Sequence, residues 1–175
     1  MNATGLEPSL NLKQHMKTLR ILFVCTGNIC RSPMAEGVMR TLLQKAGMDK
    51  LVEVDSAGTH GYHIGESPDP RTRQAALARG YDLSTLRARK VAPEDFARFD
   101  YVLAMDTGHL RLLRRACPPE HHRKLSLFMH CDVPDPYYGS AQDFEHVLAL
   151  TEEGARAWMT RLPDVSVDGN AADRP

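Results

Sequence analysis

The chain has 175 residues, enough for one domain with one core and little more. Lys plus Arg equals Asp plus Glu at 22 each, so no basic excess points to nucleic acid, and no basic amphipathic helix points to a membrane surface. The longest apolar run, around residues 22–25, is far too short to span a membrane.

Residues 1–18 show no hydrophobic period and carry Glu7, Lys13, Gln14 and Lys17 where a secretory signal needs an apolar centre; they read as a mobile tail. Residues 19–24 (LRILFV) are apolar and rich in β-branched and aromatic types, and predict a buried strand. Residues 25–32 follow, then Pro33. From there apolar residues fall at 34/35, 38/39, 42/43 and 46, the period of a helix. Ser32 is expected to cap it, Pro33 to take its first position, Glu36 to favour its positive end and Gly47 to close it. Residues 51–55 predict a second strand, 69–79 a second helix closed by Gly80, and 93–99 one or two helical turns. Residues 100–105 predict a third strand, after which Asp106 is expected to cap a helix running to 115. Residues 124–128 predict a fourth strand. Residues 141–162 predict a long last helix, with Phe144, Val147, Leu148, Ala155, Trp158 and Leu162 on one stripe. Residues 163–175 are polar and expected to fray.

This alternation predicts a single-domain α/β fold over 19–162: a four-stranded parallel sheet with helices on both faces. Ligands of such folds bind beyond the carboxyl ends of the strands, where the loop 25–32 sits between first strand and first helix.

That loop has the makings of a phosphate site. Backbone N–H groups at a helix start have no helical partner and, with the positive end of the helix dipole, attract an anion. Gly27 and Asn28 are types that tolerate left-handed backbone, so a tight cradle is feasible. Arg31 adds a planar fork suited to two phosphate oxygens. Helix N-termini and nearby cations favour thiolate over thiol, so the same loop that binds phosphate arms Cys25 beneath it. Singly, Cys25 could be a small buried hydrophobe, Arg31 a surface charge and Asp135 a turn former before Pro136; their occurrence together favours chemistry.

The string VCTGNICRSPMAEG resembles the low-molecular-weight protein tyrosine phosphatase family, and Asp135-Pro136-Tyr137-Tyr138-Gly139 resembles that family's general-acid loop. Between them, residues 55–58, Ile64-Gly65, residues 68–71 and 99–106 match as well. The resemblance implies that Cys25 attacks phosphorus, Arg31 grips the transferred group, and Asp135 protonates the leaving phenolate. Ser32 would bond the thiolate, Asn28 would shape the loop with Ser56 supporting it, and the loop residues Thr26, Gly27, Ile29 and Cys30 would complete the cradle. Tyr62, Tyr137 and Tyr138 would form a wall for the substrate ring. Neither metal nor other cofactor is called for, since Arg31 and the amides can neutralise the phosphoryl group. Partners would be phosphotyrosine proteins, among them a tyrosine kinase, with phosphate and vanadate as inhibitors. Cys30 is open: a core thiol, or the redox partner of Cys25 that the family uses in a protective disulfide. The family often has His where Arg79 precedes Gly80 here, so the support of Asn28 is expected to differ.

Rivals on the same fold are an arsenate reductase, which needs two more cysteines close together where this chain has the separated Cys117 and Cys131, and a protein arginine phosphatase, which tends to have Thr at Ile29 and to lack the paired tyrosines. A non-catalytic phosphotyrosine-binding module would keep Arg31 and lose Cys25 or Asp135; both are present. Four sparse cysteines argue against a disulfide scaffold and for a reducing, cytoplasmic location.

Overall fold

In a computed structural model that describes residues 18–162, the core of the molecule is a four-stranded sheet in which every neighbouring pair runs parallel. β1 (Leu19–Cys25) is flanked by β2 (Val52–Gly58) and β3 (Tyr101–Ala104), and β4 (Leu125–Leu127) lies outside β3, giving the order β2-β1-β3-β4. The chain leaves β1 towards one edge and later returns towards the other, so the carboxyl end of β1 is the switch point where such sheets bind ligands. Both tails called from the sequence, apart from Thr18, lie outside the described residues.

β1 is central and wet on neither face. Ile21, Phe23 and Cys25 point into the larger core, while Leu22 and Val24 point into the smaller one. The larger core is closed by α1 (Arg31–Lys45), α2 (Pro70–Ala78) and α5 (Ala141–Met159), and the smaller by α3 (Pro93–Arg98) and α4 (Thr107–Ala116). Gly154 lets α5 lie close, since a Cβ there would meet Phe128 Cζ at 2.6 Å.

Several local expectations need correcting. α1 starts at Arg31, so Ser32 sits inside its first turn and caps nothing; its hydroxyl faces the loop instead. Pro33 therefore takes the third helical position, and Glu36 lies a turn inside, buried, rather than at the positive end. β2 continues three residues past Asp55, because Ser56, Ala57 and Gly58 pair with Phe23, Val24 and Cys25. α5 stops at Met159, and residues 160–162 are turn. A 3₁₀ turn over Pro119–Lys124, which carries His121 and His122, leads into β4. Asp106 does cap α4, accepting from His109 N; Asp69, read as the first residue of its helix, instead caps α2 and accepts from Arg71 N, and Gly47 and Gly80 follow their helices at φ 69° and 85°.

Candidate active site

After Cys25 the backbone curls through Thr26–Cys30 and enters α1 at Arg31. Its carbonyls are turned outward and taken: Thr59 N donates to Cys25 O (2.8 Å), His60 N to Thr26 O (3.0 Å) and Asp69 N to Ile29 O (2.9 Å). The amides of Gly27, Asn28, Ile29 and Cys30 donate to no other group among the described residues. N–H groups left without a partner at a helix start suit the anion site inferred from the sequence.

Asn28 is the one residue in the loop with a left-handed backbone, at φ 58°, and its side chain holds it there. Oδ1 accepts from Arg89 N, and Nδ2 donates to Ser32 Oγ and Ser56 Oγ, all at 2.9 Å. Gly27 needs no such angle; it is small because a Cβ would meet His63 Cδ2 at 3.0 Å. Gly58, across the loop, has Thr26 O at 2.7 Å and His60 O at 2.9 Å from where a Cβ would stand. The support of Asn28 thus comes from β2 and Arg89. Arg79 takes no part: it pairs with Glu145 and Glu152 on α5.

Ser32 Oγ lies 3.0 Å from Cys25 Sγ, accepts from Asn28, and reaches Ala57 O at 3.3 Å. Its single proton can serve the carbonyl while sulfur is a thiol, and turn to sulfur once that is a thiolate. Beyond Ser56, Oγ donates to Glu36 Oε2 at 2.6 Å, so four hydrogen bonds run from the sulfur to a buried carboxyl. Burial pushes that carboxyl up to about 7, against the pull of Ser56 and Arg40. Burial likewise pushes the Cys30 thiol up to about 12, partly offset by the nearby Thr72 hydroxyl.

Arg31 is 4% exposed, and both its Nη atoms have protein partners. Nη1 donates to Asp106 Oδ2 (2.9 Å) and Val133 O (3.1 Å); Nη2 faces Thr26 Oγ1 at 3.5 Å and Asp135 Oδ2 at 3.3 Å. Burial works against the Asp106 carboxylate, but the His109 N–H and nearby Arg31 outweigh it and hold the acid below its usual range. His109 is buried behind the loop with Nε2 2.7 Å from Thr26 Oγ1. Burial and then Arg31 lower it to about 4, so it is neutral at pH 7; its Nδ1 lies 3.0 Å from Asp106 Oδ1 but off line for a hydrogen bond.

Cys25, Ile29, Arg31, Tyr62, His63, Asp135, Tyr137 and Tyr138 surround one cleft of about 300 Å³. Asp135 Oδ1 accepts from Tyr137 N at 3.1 Å, leaving Oδ2 to face Arg31. Tyr62 is 70% exposed and stacks on His60, and Tyr138 is 95% exposed and packs edge-on to Tyr137. A family model described as low molecular weight phosphotyrosine protein phosphatase matches residues 20–167. The chain belongs to that family. It is 45% identical to the low-molecular-weight protein-tyrosine-phosphatase of Streptomyces coelicolor, over 89% of this chain and 99% of the other. Among solved structures, the protein tyrosine phosphatase of Entamoeba histolytica superposes with a TM-score of 0.80 at 36% identity, covering 83% of this chain and 97% of that one. Wzb of Vibrio vulnificus, solved with benzylphosphonate, superposes with a TM-score of 0.75 at 31% identity, covering 83% and 100%.

The structure of this phosphatase brings every site residue named from the sequence to the one cleft or its support, Ser56 included. It adds four that sequence reasoning passed over: Asp106 as the anchor of Arg31, His109 behind Thr26, Glu36 at the end of the hydrogen-bond chain, and His63 on the cleft wall. Asp106 was legible as a helix cap only. Glu36 was read as a partner of the helix dipole, and neither its place nor that of His109 in the network shows in the sequence, because their burial depends on what packs over them. All four cysteines are free; Cys117 is buried in the smaller core, whereas Cys131 is exposed. Among the described residues no helix is long and apolar enough to cross a membrane.

Proposed function

We propose that this phosphatase hydrolyses protein phosphotyrosine by two displacements at phosphorus, with Cys25 as nucleophile, Arg31 as clamp and Asp135 as acid and then base. The Cys25 thiolate attacks phosphorus; the S–P bond forms as the P–O bond to tyrosine breaks, and the leaving phenolate oxygen takes a proton from Asp135. Water then attacks the phosphocysteine and gives a proton to the Asp135 carboxylate; the S–P bond breaks, freeing phosphate and the thiolate. The loop amides of 26–31 and the Arg31 fork hold the equatorial oxygens, where charge gathers in the transition state. Ser32 donates to sulfur and eases its departure. Catalysis is assigned to a domain of residues 19–162, and a reducing cytoplasm suits its thiol.

The observation that carries this reading is the convergence of Cys25, Arg31 and Asp135 with three tyrosines on one cleft. Benzylphosphonate, bound by the Vibrio vulnificus relative, joins an aromatic ring to a phosphonate, the two groups this cleft would take. Natural substrates would be phosphotyrosine proteins, a tyrosine kinase with a tyrosine-rich tail being one candidate. Cys25→Ser should abolish turnover of phosphotyrosine peptides and para-nitrophenyl phosphate while vanadate still binds. Residual activity above a few per cent in that variant would sink the assignment.

A further inference from the structure

Beside the catalytic cleft lies a second cleft of about 380 Å³. Thr26 borders both; Tyr62 lines the first and His60 the second, and these two rings stack at 5.0 Å to form a shared wall. One face of α4 supplies the other side: Gly108, Arg111, Leu112 and Arg115 fall at i, i+3, i+4 and i+7, a single helical stripe.

The charges here are unbalanced. Arg111 and Arg115 are exposed, and among the described residues neither guanidinium has an acidic partner; several other surface arginines, Arg114 between them included, are likewise unpaired, but these two share the lining of one cleft. Asp106 is the one carboxylate lining the cleft, and it is already bonded to Arg31. His60 contributes no negative charge; its Nδ1 is 2.9 Å from Thr59 Oγ1. Two unpaired planar forks on one wall match carboxylates, which they can grip bidentately.

We propose that this second cleft is a specificity subsite that takes Asp or Glu side chains flanking the phosphotyrosine of a protein substrate. The proposal rests on the reading of the Cys25 site as a phosphotyrosine phosphatase and names the peptides that site prefers. An extended peptide advances about 3.3–3.6 Å per residue, so with phosphotyrosine over Cys25 the side chains a few positions away cross the Tyr62–His60 wall and reach α4. Both arginines are solvent-exposed, so each contact is modest and salt-sensitive. Neither touches the reacting bond, so the gain appears in KM and leaves kcat alone.

The test uses the full chain with three matched phosphotyrosine peptides carrying Glu, Gln or Lys at the flanking positions, and para-nitrophenyl phosphate as the small substrate. The expected order of kcat/KM is Glu over Gln over Lys, with roughly 3- to 20-fold between Glu and Gln from two exposed pairs. That spread should collapse in about 1 M salt, where the screening length falls to about 3 Å. Arg111→Gln/Arg115→Gln should flatten the order and Arg111→Glu/Arg115→Glu should invert it, with turnover of para-nitrophenyl phosphate reporting that each variant is folded. A wild type indifferent to flanking charge, or folded variants that keep the wild-type order, would overturn the subsite while leaving the phosphatase intact. A wild type that turns over neither peptides nor para-nitrophenyl phosphate would overturn the phosphatase reading and the subsite with it.

Discussion

Raising the pH from about 5 to about 8 should ionise Glu36 inside the folded protein. Unfolded, this carboxyl titrates near 4.5; folded, burial holds it at about 7. Between those values the folded state binds the extra proton, so stability must fall as pH rises through the window and level off on either side. The gap of about 2.5 units, at about 1.4 kcal/mol per unit, makes the loss about 3 kcal/mol. The charged groups facing Glu36 are Arg40 on its own helix, Asp55 on β2 and Arg89 beyond Ala88; Asp55 opposes ionisation and the arginines assist it. For a domain of this size the loss corresponds to a fall of roughly 6–12 °C in Tm. The assay is Tm against pH for the wild type and Glu36→Gln, which keeps a carbonyl oxygen for Ser56 and cannot ionise. The difference between the two curves cancels the other titrating groups. Glu36→Gln should gain on the wild type by roughly 2–3 kcal/mol between pH 5 and 8, the rest of the loss falling below pH 5. Parallel curves would refute the reasoning, and would mean that Arg40, whose side chain is 43% exposed, neutralises the carboxylate in place.

Two further outcomes are expected. Asp135→Ala should lose ~10²–10⁴-fold on phosphotyrosine, whose phenolate is a poor leaving group, and far less on an aryl phosphate with an acidic phenol; Asp143→Ala should leave both rates alone while lowering stability slightly, since Asp143 accepts from Ser140 N at the start of α5, and equal rate losses on both substrates in Asp135→Ala would mean the acid is misassigned. After mild peroxide, a dithiol should restore the wild type better than Cys30→Ser, because Cys30 can displace water from a sulfenic acid on Cys25 to give a disulfide; equal recovery would reduce Cys30 to the buried, protonated packing thiol that its raised pKa describes.

The parts of the fold readable in the sequence are those whose signal is local. Alternating strands and helices, Asp69 before Pro70, and Gly47 and Gly80 after their helices each announce themselves within a turn or two. The end of β2 does not, since Ser56-Ala57-Gly58 looks like a turn and becomes strand only because β1 lies beside it. Ser32 misled for a related reason: a serine before proline is a good cap, yet the loop draws its hydroxyl to Cys25 and lets the helix begin one residue earlier. At the site, Cys25, Arg31 and Asp135 were legible through two motifs at opposite ends of the chain. The groups that fix them were not: Asp106 and Val133 hold Arg31 from sequence distances that no spacing rule covers.

The last helix bears the chain's single tryptophan. Trp158 is buried, donates from Nε1 to Phe128 O at 2.8 Å, meets the Tyr101 ring at 5.2 Å and lies under the Arg161 guanidinium. Its ultraviolet emission therefore has one structural meaning: whether α5 is seated against the end of β4. Excited at the indole band, the protein carries a built-in optical gauge of helix docking that none of the cleft tyrosines contaminates, and a red shift in that light would register the detachment of the carboxyl-terminal helix.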